Sequence, residues 1–370
     1  MAKRSILFKL KQVWFSRRKR RSSNAGFTLL ELLVVTIIAG GIVAGLTYIA
    51  VELLGTDQRE SARTETQRDM QLALNFIAND LQEAVYVYDA QCMVGAAGVC
   101  PGILNYIPTA LRTNGSVPVL AFWKQQPIPS TFTEAGGECG AGYDPAADPP
   151  ELGGAPIPCV NANSYALIVY SLKKSDGNND VWRGRARITR YALTEFQQDG
   201  SRTPGYSNPA ASGSATLIQG FVSWPFGTTT ANPGVTVNLQ APTPPPGPNA
   251  QVLVDFVDDG QGASEQRPPI PTATGAQLCD PTGTGQYTIT PPDSIYAGFS
   301  ALPRSFYACV SGGAATVNPV TGQTVTANQD VVLFLRGNAV GRGGVFNNAS
   351  FLPTLRTQVM SRGILDKLPQ

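Results

Sequence analysis

No histidine occurs anywhere in the 370 residues. That absence removes the Ser-His-Asp and Cys-His nucleophile pairs, which need an imidazole base. It also excludes any mixed Cys/His zinc site. The six cysteines contain no C-x-x-C pair, so a four-thiolate zinc site is not indicated either. There is no G-x-x-x-x-G-K-[ST] phosphate loop and no G-x-G-x-x-G following a strand. The nearest glycine cluster, Gly341-Arg342-Gly343-Gly344, lacks a third glycine at that spacing and reads as a loop. A carboxylate-pair hydrolase is the enzyme class left open, because its partners meet only in the fold. The expectation is a non-enzyme without a cofactor.

Charge is scarce as well, at 15% of residues, while Gly (38) and Pro (29) are abundant. This profile suits an extracellular, loop-rich β protein. Residues 1–26 contain no acid but nine Lys/Arg, including the run Arg17-Arg18-Lys19-Arg20-Arg21. Without them the chain carries 19 basic against 26 acidic residues, a net −7. Nucleic acid is therefore not an expected partner on charge grounds. Cys92, Cys100, Cys139, Cys159, Cys279 and Cys309 all follow the apolar run described next, an even count that suits disulfides in an oxidising compartment. Fifteen pairings are open. The local set 92–100, 139–159 and 279–309 is expected, since each pair brackets one Gly/Pro-rich excursion.

The 28 residues Phe27–Leu54 are largely apolar, interrupted by Thr28, Glu31, Thr36, Thr47 and Glu52. As a helix they extend about 42 Å, enough to span a bilayer. The basic residues before them place the leader in the cytoplasm and the remainder outside. An ordinary signal peptide fits poorly, because the run is too long and lacks a small-x-small exit site. A simple membrane anchor is the stronger rival, yet it leaves Glu31 unexplained. A carboxylate costs on the order of 2.5–3.5 kcal/mol at mid-bilayer, less near the interface.

The segment Gly26-Phe27-Thr28-Leu29-Leu30-Glu31-Leu32-Leu33-Val34-Val35 resembles the cleavage and methylation motif of type IV pilins and type II secretion pseudopilins. The resemblance implies that a prepilin peptidase cuts between Gly26 and Phe27 and that Phe27 is N-methylated. It further implies that Glu31 meets the freed amine of a neighbouring subunit, an ion pair suited to a low-dielectric helical core. Other pilins or pseudopilins and an inner-membrane assembly platform would be the partners. The protein would be single-pass in the inner membrane before assembly, then part of a periplasmic or cell-surface filament.

Upstream, Ile6, Leu7, Leu10, Val13 and Trp14 recur at helical spacing among Lys3, Lys9 and Lys11. Both a basic amphipathic helix on the inner leaflet and an unstructured tail satisfy that pattern. Gly40, Gly41 and Gly45 interrupt the apolar run where many type IV pilins carry a proline. Local melting and close helix–helix packing are both open there. Beyond Gly55, Met70, Leu74, Ile77, Leu81, Ala84 and Val85 form one apolar stripe at spacings of mostly three and four. The pattern predicts an amphipathic helix laid on a sheet. The expected organisation is a cleaved leader (1–26), a membrane or filament-core helix (27–54), its amphipathic continuation (55–90) and a β-rich extracellular head (91–370). The fold class is α+β, a long helix packed on an antiparallel sheet with long loops.

Within the head, strands are expected at Val117–Trp123, Tyr165–Leu172, Ala186–Leu193, Ala215–Trp224, Val252–Val257, Gln286–Thr290, Ser305–Val310 and Val331–Arg336. Low-hydrophobicity excursions separate them at 124–160, 225–250 and 258–285. The run Pro242–Pro248 cannot enter a central strand. The stretch 165–193 reads as a hairpin similar to that of larger minor pilins and pseudopilins of the J or W type. Chain size and long loops resemble pseudopilins of cyanobacterial polysaccharide-secretion and motility systems. Asp176, Asn178 and Asp180 alternate like the start of a calcium loop and are the metal candidate. The later Glu of an EF-hand is missing, so a plain turn is expected; Asp258-Asp259-Gly260 also reads as a turn. The functional reading is a minor pilin or pseudopilin that primes or caps a filament serving secretion or motility. Its rivals are a tip adhesin contacting polysaccharide and an anchored envelope protein that does not polymerise.

Overall fold

The structure is a computed structural model. It describes residues 26–97, 99–113, 115–127, 163–177, 181–197, 203–209, 217–229, 232–240, 250–260, 279, 287–296, 305–311, 315–317, 324–326, 329–343, 345 and 352–361. The leader pattern, Cys139, Cys159, Asn178, Asp180 and the proline run lie outside the described residues. The chain divides into two compact units, Met1–Gly55 and Thr56–Gln370. Helix α1 spans Leu29–Gln82.

After α1 come β1 (Ala84–Val87), helix α2 (Ala90–Val94), β2 (Ser116–Pro127), β3 (Asn163–Lys174) and β4 (Ala186–Leu193). Helix α3 (Leu217–Ser223), the hairpin β5 (Phe226–Thr229) and β6 (Asn232–Asn238), and β7 (Gln251–Val257) follow. The last third holds β8 (Tyr287–Thr290), β9 (Phe306–Ser311), β10 (Ala315–Val317), β11 (Thr324–Thr326), β12 (Asp330–Arg336) and β13 (Thr354–Met360). The larger sheet has the order β1-β2-β3-β4-β7 and the smaller has β13-β12-β9-β8. Every pairing is antiparallel. The fold is thus a long N-terminal helix with antiparallel sheets, an α+β architecture.

The period-two pattern of the strands explains why both faces of each sheet are covered. On the larger sheet, Phe122, Ile168, Tyr170, Leu172 and Ile188 face one way and join Met70, Leu74, Ile77 and Leu81 of α1. Phe306, Ala308 and Val310 of β9 and Val331, Leu333 and Leu335 of β12 enter the same core. The second half of α1 is therefore packed across both sheets. The opposite face of the larger sheet carries Trp123, Leu167, Val169 and Tyr191, covered by Met93 of α2 and by Phe221 and Trp224. The outer face of the smaller sheet makes a third cluster, with Cys309, Tyr307 and Phe334.

Two polar joints connect the sheets. The Gln329 side chain imitates a strand partner for Val87: its Oε1 accepts from Val87 N at 2.8 Å and its Nε2 donates to Val87 O at 2.8 Å. At the other edge, Asp258 N donates to Arg336 O at 3.0 Å. The Asp258 carboxylate accepts from Arg336 Nε (3.0 Å) and Nη2 (2.7 Å) and from Asn338 Nδ2 (2.9 Å). The Asp258-Asp259-Gly260 segment expected as a turn is thus also a buried inter-sheet lock.

Two expectations are corrected. The helical continuation through residue 90 stops at Gln82, and Ala84 and Val85 belong to β1 instead. Ala84-Val85-Tyr86-Val87 is β-branched and aromatic, and its burial on both faces is satisfied by pairing with β2. The strand expected at Ala215–Trp224 is helix over Leu217–Ser223. Phe221 and Trp224 are both fully buried in one cluster. Residues three apart share a helix face but point to opposite faces of a strand.

Candidate functional site

The candidate processing and assembly residues lie at the start of α1. Gly26, Phe27 and Thr28 precede the first helical turn, and Phe27 is exposed. Thr28 caps that turn: its Oγ1 accepts from Glu31 N at 3.3 Å, and its carbonyl accepts from Leu32 N at 3.2 Å. Thr28-x-x-Glu31 is the capping-box spacing. A carboxylate three residues into a helix also complements the positive end of the helix dipole. Glu31 therefore has a local helical reason to exist as well as the intersubunit one that the motif implies.

From Gly26 to Leu54 every residue is exposed. The segment is long and apolar enough to cross a membrane. Thr36 and Thr47 turn their hydroxyls onto their own helix, Thr36 Oγ1 donating to Leu33 O at 2.9 Å and Thr47 Oγ1 to Val43 O at 2.8 Å. Those polar groups are satisfied without outside partners, as an apolar environment demands. Glu31 differs, since among the described residues no cation lies within ion-pair distance of its carboxylate. A Cβ placed on Gly40, Gly41 or Gly45 would meet nothing within 4 Å, so each leaves an open notch.

The remaining candidates are distributed over the head. Cys92 and Cys100 form a disulfide (Cα–Cα 5.4 Å) that closes the loop after α2, and Asp89 Oδ1 caps that helix by accepting from Cys92 N at 2.8 Å. Cys279 bonds Cys309 of β9, with Cα atoms 5.6 Å apart. Both belong to the local set set out from the sequence. Asp176 is exposed just beyond β3. Among the described residues no group of three His, Cys, Asp or Glu side chains could hold a metal ion.

A buried ionic cluster on the amphipathic half of α1 escapes sequence reading. Asp80 is only 7% exposed. Its carboxylate accepts from Tyr170 Oη at 2.6 Å, Arg190 Nε at 2.8 Å and Lys124 Nζ at 2.8 Å. Lys124 also reaches Glu83 at 2.9 Å. Burial by itself would raise the Asp80 carboxyl, but the hydrogen bonds from Arg190, Lys124 and Tyr170 outweigh it and hold it below its ordinary value. About three to four turns back along α1, Arg342 bridges Glu65 (2.6 Å) and Asp69 and stacks on Phe256 with 4.2 Å to the ring centroid. These pairs fix the rotation and register of the helix on the sheets. The sequence signal for Asp80 is its position: it sits with Ile77 and Leu81 on the apolar stripe, where a solvated charge has no place.

No family model, no curated protein and no solved structure matches the chain.

Proposed function

We propose that the chain is a type IV pilin-like subunit, a minor pilin or pseudopilin. In this reading it is processed at Gly26-Phe27 and joins a filament through the apolar half of α1. The observation that carries it is the run Gly26-Phe27-Thr28-Leu29-Leu30-Glu31 standing directly before a helix whose first 26 residues, Leu29–Leu54, are exposed on all sides. Such a surface favours lipid before assembly and other apolar helices afterwards. Glu31 is then the group that needs a partner, and a neighbour's methylated Phe27 amine is chemically suited to be one. A head of about 280 residues on one helix is bulky for a repeating shaft, which favours a priming or capping position and support of secretion or motility.

The test is the mature N-terminus. In cells with an active prepilin peptidase, intact mass and N-terminal sequencing should show loss of residues 1–26 and an N-methylated Phe27. Without the peptidase the full leader should remain. A mature chain that keeps its leader in peptidase-positive cells would overturn the reading and leave a membrane-anchored protein.

A further inference from the structure

An open cleft of about 520 Å³ lies at one end of the larger sheet, between the β3–β4 turn and the segment after β12. That volume is within the usual range for small-ligand sites, roughly 300–1,000 Å³. Its lining includes Lys174, Ser175, Trp182, Arg183, Arg185 and Asp259. The only acid among these, Asp259, is 3.7 Å from Arg185. Among the described residues neither Lys174 nor Arg183 lies within ion-pair distance of a carboxylate, so cationic charge is left in the cleft of an otherwise acidic mature chain.

The aromatic wall is equally unusual. Trp123 and Trp224 are fully buried, whereas Trp182 is 38% exposed and its neighbour Val181 is 86% exposed. Trp182 is not on a slack loop. Asp255 Oδ2 accepts from Arg183 N at 3.2 Å and Gly184 N at 3.1 Å, and Ser175 N donates to Arg185 O at 2.9 Å. A Cβ on Gly184 would lie 2.4 Å from Asp255 Oδ1 and from Phe256 N, and one on Gly341 would lie 2.6 Å from Arg183 O. Backbone contact that close requires glycine at both places. The Trp182-Arg183 pair is therefore held in position before any ligand arrives, which lowers the ordering cost of binding.

The geometry points to a subsite for an anionic saccharide, a uronic-acid unit of a polymer chain. An indole face packs against the C–H face of a pyranose, while guanidinium and ammonium groups take the carboxylate. An open cleft lets a chain continue beyond the bound unit. Single-stranded nucleic acid fits less well, since it is held by successive aromatics along a basic groove, and among the described residues Trp182 is the one aromatic that lines the cleft. The proposal deepens the filament reading by giving the displayed head a ligand class. Binding by dispersed protein does not depend on cleavage or polymerisation, so the two can fail separately.

The experiment is isothermal titration of the full-length chain in detergent with tetragalacturonate, maltotetraose and a short oligothymidylate. Tetragalacturonate should bind, and neutral maltotetraose should bind at least about tenfold more weakly. Trp182→Ala and Arg183→Gln should each weaken the uronate by roughly tenfold with an unchanged melting temperature. Arg356→Gln, an exposed cation on β13, should change nothing. Absence of uronate binding, an equal loss from Arg356→Gln, or oligothymidylate binding as tightly as the uronate would each overturn the proposal.

Discussion

At Asp80 three donors from three strands converge on one carboxylate: Lys124 of β2, Tyr170 of β3 and Arg190 of β4. Asp80→Ala would strand Arg190, mostly covered, without its counter-charge and leave Lys124 only the exposed Glu83. We expect the head to lose about 2–4 kcal/mol, read as a lower denaturation midpoint. Because the folded state holds the Asp80 carboxyl below its ordinary 3.8, this contribution is complete above that pH and is lost as pH falls through the depressed value. Glu195 works in the opposite direction. Burial pushes its carboxyl up from 4.5 to about 7. Between those values the folded chain binds more protons than the unfolded one, so stability should decline as pH rises from 4.5 to 7 and level off above. The decline attributable to Glu195 is on the order of 3 kcal/mol. Denaturant titrations at pH 5 and pH 8 should show it, and Glu195→Gln should flatten that slope.

At the scale of elements, what was legible followed from periodicity. Seven of the eight strand positions expected from alternating β-branched and aromatic residues carry strands, because a sheet covered on both faces still needs runs such as Tyr165–Leu172. The misses have definite causes. Ala84 and Val85 continue the three-and-four spacing of α1 by coincidence, and only tertiary pairing with β2 decides that they leave the helix. Leu217–Ser223 is apolar enough to pass for a strand, but the joint burial of Phe221 and Trp224 requires a helical turn. The ionic contacts of Asp80, Arg342 and Asp258 span from 44 to 277 positions in sequence and have no local signature. Close packing of α1 on the sheets has its own test at Gly337, which follows β12. A Cβ there would lie 2.9 Å from Thr66 Cγ2 and 3.0 Å from Met70 Cγ. Gly337→Val should therefore overpack the interface and cost about 1–3 kcal/mol, measured by thermal melting, while Gly343→Val, with nothing within 4 Å, should cost far less.

For the molecule as a whole, cross-links and the N-terminal helix set the behaviour. On loop length alone, the Cys92–Cys100 bridge, eight residues apart, should add about 2.6 kcal/mol and the Cys279–Cys309 bridge, 30 apart, about 3.7 kcal/mol. Reduction should lower the melting temperature accordingly, with Cys279→Ser/Cys309→Ser the more damaging pair. The membrane-length helix was readable because its first half is one contiguous, largely apolar run. What the sequence left undivided was Glu31, which stands at the acidic position of a capping-box spacing and is also the proposed partner of a neighbour's amine.

One substitution separates those roles. Glutamine keeps the capping-box geometry but carries no charge. With chromosomal Glu31→Gln, filaments sheared from cells should contain little or none of the processed protein, although its membrane level and melting temperature match the parent. Incorporation of Glu31→Gln at the parental level would contradict the ion pair between subunits and reduce Glu31 to a helix cap.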